Sequence, residues 1–430
     1  METLIEFFSF EYPNIKYVVF GTILLSISSA VVGCFTFIKK KSLVGDVVSH
    51  AVLPGICISF LASGSKDPFL LIIGAFISGW ISIIVMDAII RNTKIKEDAA
   101  TGLSLSVFFG IGILLMTYIQ HSGNAAQSGL DTFLFGKAAA LIGIDLLAFS
   151  IIAIVVLIVV FLFYKEFKLI SFDPQFAKVI GLPIRRLEFV LTSITVLAVV
   201  TGIQAVGVVL MAAMLITPAA AARFWTNKLH KMLIISSIFG AFSGISGAFI
   251  SYSTPSMPTG PWMVMVLSII ALFSFFFAPS RGILVNSWNR FKIQRQLLEE
   301  NLLKTFFKIG ESSDDYFQNI EAGDLRLARN FSSTQLSRGL KKLSSNGYII
   351  KSGSAWKLSK EGHDKGKRIT RLHRLWELYL TKYLRIAPDH VHEDADTIEH
   401  VITPELESRL EKLLDYPTSD PHQSVIPGRN

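Results

Sequence analysis

The sequence predicts an all-α polytopic membrane bundle of eight or nine transmembrane helices, followed by a soluble winged helix-turn-helix domain and a helical domain rich in imidazoles and carboxylates. Three observations carry this. Of the 430 residues 51% are hydrophobic and the mean hydropathy is +0.50, the composition of a membrane protein. Lys, Arg, Asp and Glu supply 30 of the first 280 residues but 44 of the last 150, so the two parts are built for different solvents. Long apolar runs recur in the first part only.

Those runs lie near 15–38, 43–62, 68–90, 99–119, 138–164, 187–204, 205–222, 231–252 and 261–278. At 1.5 Å per residue, each is long enough for a hydrocarbon core about 30 Å thick. The number is eight or nine because 187–222 is one apolar region interrupted only by GIQAVG, and the first run could instead lie in the interface. The opening METLIEFFSFEYPN is acidic and does not read as a cleaved signal peptide. Lys39 to Lys41, Arg91 to Lys96, Lys165 to Arg186, Arg223 to Lys231 and everything from Arg281 onward fall on alternate loops. Those loops are expected to be cytoplasmic. Cys34 and Cys57, the two cysteines, sit in apolar runs and offer neither a disulfide framework nor a zinc ribbon. Gly240, Gly244 and Gly247 form a small-x-x-x-small pattern suited to close helix packing.

One connection is longer than it needs to be: KEFKLISFDPQFAKVIGLPIRRLE, residues 165–188. Asp173 can cap a short helix, Pro174 suits its first position, and Gly181 with Pro183 ends it. Such a helix is either a docking element or an ordinary amphipathic connector.

LVGDVVSHAVLPG, residues 43–55, holds Asp46 and His50 in an apolar run. Spaced by four, they share one helix face. Ionisable groups at membrane depth are costly and usually line a pathway or pair with each other. A carboxylate with an imidazole is an incomplete ligand set for Mn(II), Fe(II) or Zn(II). From spacing alone a second reading stands, in which Asp46 lies at the lipid boundary and His50 bonds a carbonyl.

LVGDVVSHAVLPGICISF together with SFDPQFAKVIGLPIRRLEFVLTSITVLAVVTGIQAVGVVLMAAMLITPAAAARFW resembles the permease subunit of the manganese/zinc/iron family of ABC transporters, over about residues 15–280. The resemblance implies a multi-pass protein of the bacterial plasma (inner) membrane that imports a divalent metal ion. It implies a second permease copy or sister permease, an ABC ATPase docked on the loop helix at 173–183, and an extracytoplasmic solute-binding protein. Asp46 and His50 match the metal-contacting pair of its motif, on the transport pathway. No G-x-x-x-x-G-K-[ST] pattern occurs, so the chain reads as no enzyme and hydrolysis of ATP is expected in a separate subunit.

Residues 281–310 read as a polar amphipathic helix, a linker. GDLRLARNFSSTQLSRGLKKLSSNGYII then gives a short helix, a turn at Asn330, and a second helix capped by Ser332 or Ser333 that ends at Asn346-Gly347. YIIKSGSAWKLS adds two short strands, so 311–370 has the outline of a winged helix. Ser333, Gln335, Arg338, Lys341 and Lys342 would face outward, as readers of base edges and phosphates or simply as a solvated face.

In RLHRLWELYLTKYLRIAPDHVHEDADTIEHVITPELESRLEKLL, His373 and Glu377 are one i, i+4 pair, while His392, Asp396, Glu399 and His400 form a second cluster. Oxygen and imidazole donors without thiolate favour Mn(II) or Fe(II), with Zn(II) possible by affinity; the other reading is a surface salt-bridge network. This run, with DYPTSDPHQSVIPG, resembles the metal-dependent repressors of the diphtheria-toxin-repressor type over about 312–428. The resemblance implies that residues 371–430 bind metal and dimerise, and that the tail binds operator DNA. His373, Glu377 and His392 match one of its metal sites; Asp396, Glu399 and His400 match the other, completed by Asp315 on the first helix. Carboxylates at 396 and 315, where iron-type members carry Cys and Met, lean toward manganese. Gln318, where manganese-type members carry Glu, leaves the metal count open. No organic cofactor is implied. The combined reading is a metal importer permease whose cytoplasmic tail senses metal and represses genes; the alternative is a tail that gates transport by metal-driven dimerisation without binding DNA.

Overall fold

The computed structural model describes residues 2–41, 43–65, 67–121, 136, 138, 141–254, 257–384 and 404–428. They divide into two compact units, Met1–Asn286 and Ser287–Asn430.

In the first unit α1 (Glu2–Ser9) leads into the bundle. Among the described residues nine helices are long and apolar enough to cross a membrane. They are α2 (Pro13–Ile38), α3 (Val44–Ser63), α4 (Pro68–Asn92), α5 (Glu97–His121), α6 (Gly143–Leu162), α9 (Ile184–Val206), α10 (Val208–Trp225), α11 (Leu229–Ser253) and α12 (Thr259–Phe277). Between α6 and α9 lie the short helices α7 (Tyr164–Phe172) and α8 (Pro174–Val179).

The apolar region 187–222 is two helices. Gly207, with φ +93, ends α9 in a conformation that side-chain-bearing residues rarely adopt. A side chain at Gly202 would collide with the Met211 sulfur. Nine residues of straight helix would keep these two about 13 Å apart, so the chain folds back at Gly207.

Burial sorts the helices into inner and outer. In α2, α3 and α9 the most apolar window is 78%, 72% and 72% buried, whereas in the others it is between 22% and 44%. Large apolar side chains such as Leu114, Phe161 and Ile234 stay exposed on the outer helices, as a lipid-facing surface requires. Inside, small residues set the spacing. Gly240 and Gly244 of α11 lie against the backbone of α2 at Ser26 and Thr22, while Gly247 faces Met263 of α12. The tightest approach is α2 to α10: a Cβ on Gly33 would stand 1.8 Å from the Leu215 carbonyl oxygen.

The second unit starts within α13 (Ile283–Ser312). The segment 281–310, expected as a linker, is in its second half a core helix. Leu302, Leu303, Phe306 and Phe307 are buried, and the first three pack with Leu325, Leu336, Leu340, Leu343 and Ile349. A winged helix follows, in the order β1 (Ile320–Glu321), α14 (Ala322–Ala328), α15 (Ser333–Ser345), β2 (Ile349–Ser352) and β3 (Ala355–Leu358). Its sheet has the order β1-β3-β2, all antiparallel, with Ile320 opposite Trp356 and Ile349 opposite Leu358. Gly353, φ +63, takes the first position of the two-residue turn between β2 and β3, a place that favours glycine. The long α16 (Lys360–Leu384) leads to α17 (Pro404–Leu413), and Leu375, Leu410, Leu414 and Ile426 join them in one apolar cluster.

Gly33→Ala is expected to lower the thermal midpoint of the detergent-solubilised chain, with a cost of about 3 kcal/mol from overpacking. An unchanged midpoint in a melting experiment would show that α2 and α10 do not touch there.

Candidate metal centres and nucleic-acid interface

Asp46 lies in the first turn of α3 and His50 one turn on. Gly45 sets that start, because a side chain there would meet Leu215 of α10. His50 Nε2 stands 3.6 Å from Asp46 Oδ1; the imidazole is largely covered and the carboxylate 39% exposed. The other ring nitrogen, Nδ1, is buried without a hydrogen-bond partner among the described residues. Phe109 of α5 holds the ring edge-to-face, with centroids 4.9 Å apart. Pro54, four residues on, removes the amide that would ordinarily bond the His50 carbonyl. A carboxylate, an unsatisfied imidazole nitrogen and a backbone carbonyl therefore stand on one turn of an apolar helix. No group of three or more His, Cys, Asp or Glu forms among the described residues, so any ion here needs further donors from water, carbonyls or another chain.

The long connection folds as the sequence predicts. Asp173 caps α8 by accepting from the Phe176 amide at 2.9 Å, with Pro174 at the first position. Gly181 has φ +81 and Pro183 precedes α9. Phe167, Ile170 and Ala177 anchor the segment in the core formed with Leu187 and Leu191. Phe172, Phe176, Val179 and Ile180 remain exposed, an apolar patch on a polar loop.

Sequence reasoning missed Asp145. It is the lone acid in the run GIDLLAFSIIAIVVLIVVFL, which was the available signal. It is 1% exposed; its carboxylate accepts from Gln204 Nε2 of α9 at 2.9 Å and from the Ile142 amide at 3.2 Å. The hydrogen bond offsets the cost of the burial and ties α6 to α9.

In the tail, His373 and Glu377 are each 2% exposed on α16, with Nε2 2.7 Å from Glu377 Oε1. The opposite nitrogen, Nδ1, is 3.3 Å from Nζ of Lys304 on α13, itself 2% exposed. With Nε2–H donating to the carboxylate and Nδ1 accepting from the ammonium, both ring nitrogens are used. The described part of this pair thus does not fit a divalent ion while the ammonium is in place. His392, Asp396, Glu399 and His400 lie outside the described residues. Asp315, expected on the first helix of the tail, lies beyond its end. Asp314 turns the chain with φ +56, and the exposed Asp315 carboxylate accepts from the Phe317 amide at 3.0 Å. Gln318, expected on the same helix, bonds Ser313 and the Ile309 carbonyl in the same turn. Nearby, Arg374 binds Glu311 of α13 bidentately at 2.9 and 2.6 Å and approaches Asp420 at 3.6 Å. Burial opposes the guanidinium charge, but the hydrogen bonds and charge of Glu311, with Asp420 and Glu377, outweigh it and hold its pKa above the usual value.

On α15, Ser333, Arg338 and Lys341 are exposed and Lys342 is half-buried. Gln335 is spent on the helix start: Ser332 Oγ accepts from its amide and its Oε1 accepts from the Ser332 amide, a reciprocal cap. A groove beside the helix is lined by Arg326, Ser333, Ser337, Lys341, Lys351 and Trp356. Lys351 lies 5.6 Å from the Trp356 ring. Arg326, Lys351 and Trp356 were not singled out from sequence, because only the fold brings α14 and the wing strands beside α15.

The fold and these sites define a multi-pass membrane permease carrying a winged-helix, metal-repressor-like tail. Residues 11–278 match the ABC 3 transport family, and the chain belongs to it. Residues 359–428 match the metal binding and dimerisation domain of iron dependent repressors. The manganese transport system membrane protein MntC of Bacillus subtilis is 38% identical over 407 residues, 94% of this chain and 92% of that protein. The zinc transport system membrane protein TroC of Treponema pallidum is 44% identical over 300 residues, 70% of this chain and 99% of its own. The solved structure of PsaBC from Streptococcus pneumoniae in complex with Fab superposes with TM-score 0.58 and 33% identity, covering 65% of this chain and 97% of that one. The protein is a transporter subunit rather than an enzyme, an ABC permease with a fused repressor-type domain.

Arg374→Met leaves Glu311 and Asp420 without their shared cation. We expect it to destabilise the tail by about 3 kcal/mol, read as an earlier urea transition of the second unit; no shift would show the ion pairs to be superficial.

Proposed function

We propose that this chain is the membrane subunit of an ATP-driven importer of a divalent transition metal ion, and that its tail senses metal and binds operator DNA. The observation that carries the transport half is Asp46 with His50. An apolar helix sets a carboxylate oxygen 3.6 Å from one imidazole nitrogen and leaves the other nitrogen unsatisfied among the described residues, with the His50 carbonyl released by Pro54. Mn(II), Fe(II) and Zn(II) suit such donors. Manganese and zinc are the metals in the names of the two relatives. Asp46 and His50 would take the ion in transit, exchanging it for water on either side.

Orientation follows from charge. With the chain turning back at Gly207, Lys39 to Lys41, Arg91 to Lys96, Lys165 to Arg186, Arg223 to Lys231 and Arg281 onward fall on one side of nine spans, which the positive-inside rule makes the cytoplasm. The tail is then cytoplasmic and the membrane is the bacterial plasma membrane. The exposed Phe172, Phe176, Val179 and Ile180 on the 165–188 loop suit a separate ABC ATPase subunit, with Asp173, Pro174, Gly181 and Pro183 shaping the loop. A second permease copy or sister permease would complete the pathway, and an extracytoplasmic solute-binding protein would deliver the ion.

For the tail we assign the regulatory metal to His392, Asp396, Glu399 and His400. DNA contact falls to Ser333, Arg338, Lys341 and Lys342, with Arg326 and Lys351 toward phosphates. A tail that gates transport without touching DNA is disfavoured, since the winged helix keeps its basic face exposed.

Asp46→Ala and His50→Ala are each expected to reduce manganese uptake by cells at least tenfold with the protein still inserted; normal uptake by both would make the pair structural. Residues 287–430, which keep the core helix, are expected to retard operator DNA in a gel only with Mn(II) present. Retardation independent of metal, or none, would remove the sensing half.

A further inference from the structure

Among the described residues around the His373–Glu377 pair, Lys304 is used by neither the transport nor the repressor reading. Lysine is rarely buried without a partner, yet Lys304 is 2% exposed. It enters from α13, 69 residues before the histidine it meets, so no local helix constraint puts it there. The three groups form a line: ammonium, then imidazole with Nδ1 at 3.3 Å, then carboxylate 2.7 Å from Nε2. One histidine tautomer satisfies both described contacts.

We propose that Lys304 is a built-in cation at the His373–Glu377 pair, standing where a divalent metal would otherwise bind, so that this position of the tail takes no metal. The reasoning is one of charge and of space. A dication added beside the ammonium would bury two further positive charges next to one already held there, which a dry interior resists. It would also have to take the imidazole nitrogen and carboxylate oxygen now engaged within the chain. In return the ammonium clips α13 to α16 permanently, beside the second clip of Arg374 on Glu311. The tail then keeps its first helix docked without metal at this pair, and whatever metal it holds is bound elsewhere. The inference rests on reading the tail as a metal-binding domain.

The test is a count of manganese per chain, made on the full-length protein in detergent after equilibrium dialysis against Mn(II). His373→Asn and Glu377→Gln are expected to retain as many ions as the unmodified chain, and Lys304→Gln one more. Lys304→Met, which keeps the apolar stem, is a second form of the same substitution should the glutamine variant fold poorly. Loss of an ion in His373→Asn or Glu377→Gln, or no gain in either Lys304 variant, overturns the proposal. The underlying reading fails separately: Glu399→Ala with His400→Ala reports on the assigned regulatory cluster alone and does not enter the Lys304 comparison.

Discussion

An ionisable side chain can be held away from water only if something else in the fold answers its charge or its hydrogen-bonding need. That constraint governs both halves of this protein. Asp145 is sealed among apolar helices because Gln204 and the Ile142 amide meet its oxygens. Lys304 is sealed in the tail because His373 and Glu377 lie in line with it. Asp46 and His50 obey the rule only in part. They face each other at 3.6 Å, too long for a firm hydrogen bond, and Nδ1 has no described partner. In that respect the pair differs from Asp145 and Lys304, whose described contacts are close.

The surrounding bundle makes the incompleteness durable. Gly33 and Gly45 let α10 press against α2 and the start of α3, while Phe109 of α5 packs edge-to-face on the imidazole. Pro54 keeps the adjacent carbonyl from being absorbed into the helix. The glycines that permit dense packing and the buried nitrogen left without a described partner are thus parts of one arrangement. In the tail the same economy of groups runs the other way, because the buried charges there are matched within the chain and the helices they join are fixed.

Much of this was legible in the sequence, and the parts that were not share a cause. Residues four apart on one helix declare their proximity, so Asp46 with His50 and His373 with Glu377 could be paired directly. The cap at Asp173, the stop at Gly181 and the hairpin at Gly353 are equally local. Lys304 with His373, and Asp145 with Gln204, join segments 69 and 59 residues apart, and no spacing rule reveals them. The linker expected at 281–310 hid a signal that was present: Leu302, Leu303, Phe306 and Phe307 form an apolar stripe with helical spacing, which marks a core helix rather than a solvated one. Asp315 falls past that helix because the run SSDD ends it, Ser and Asp favouring termini over helix interiors.

The central claim is that the bundle itself presents Asp46 and His50 as ligands to a divalent ion. The most direct measurement is electron-nuclear double resonance of Mn(II) bound to the first unit, residues 1–286, in lipid nanodiscs. The account predicts a coupling to one imidazole nitrogen that disappears in His50→Gln. A manganese signal with no nitrogen coupling, or one that survives that substitution, would contradict it.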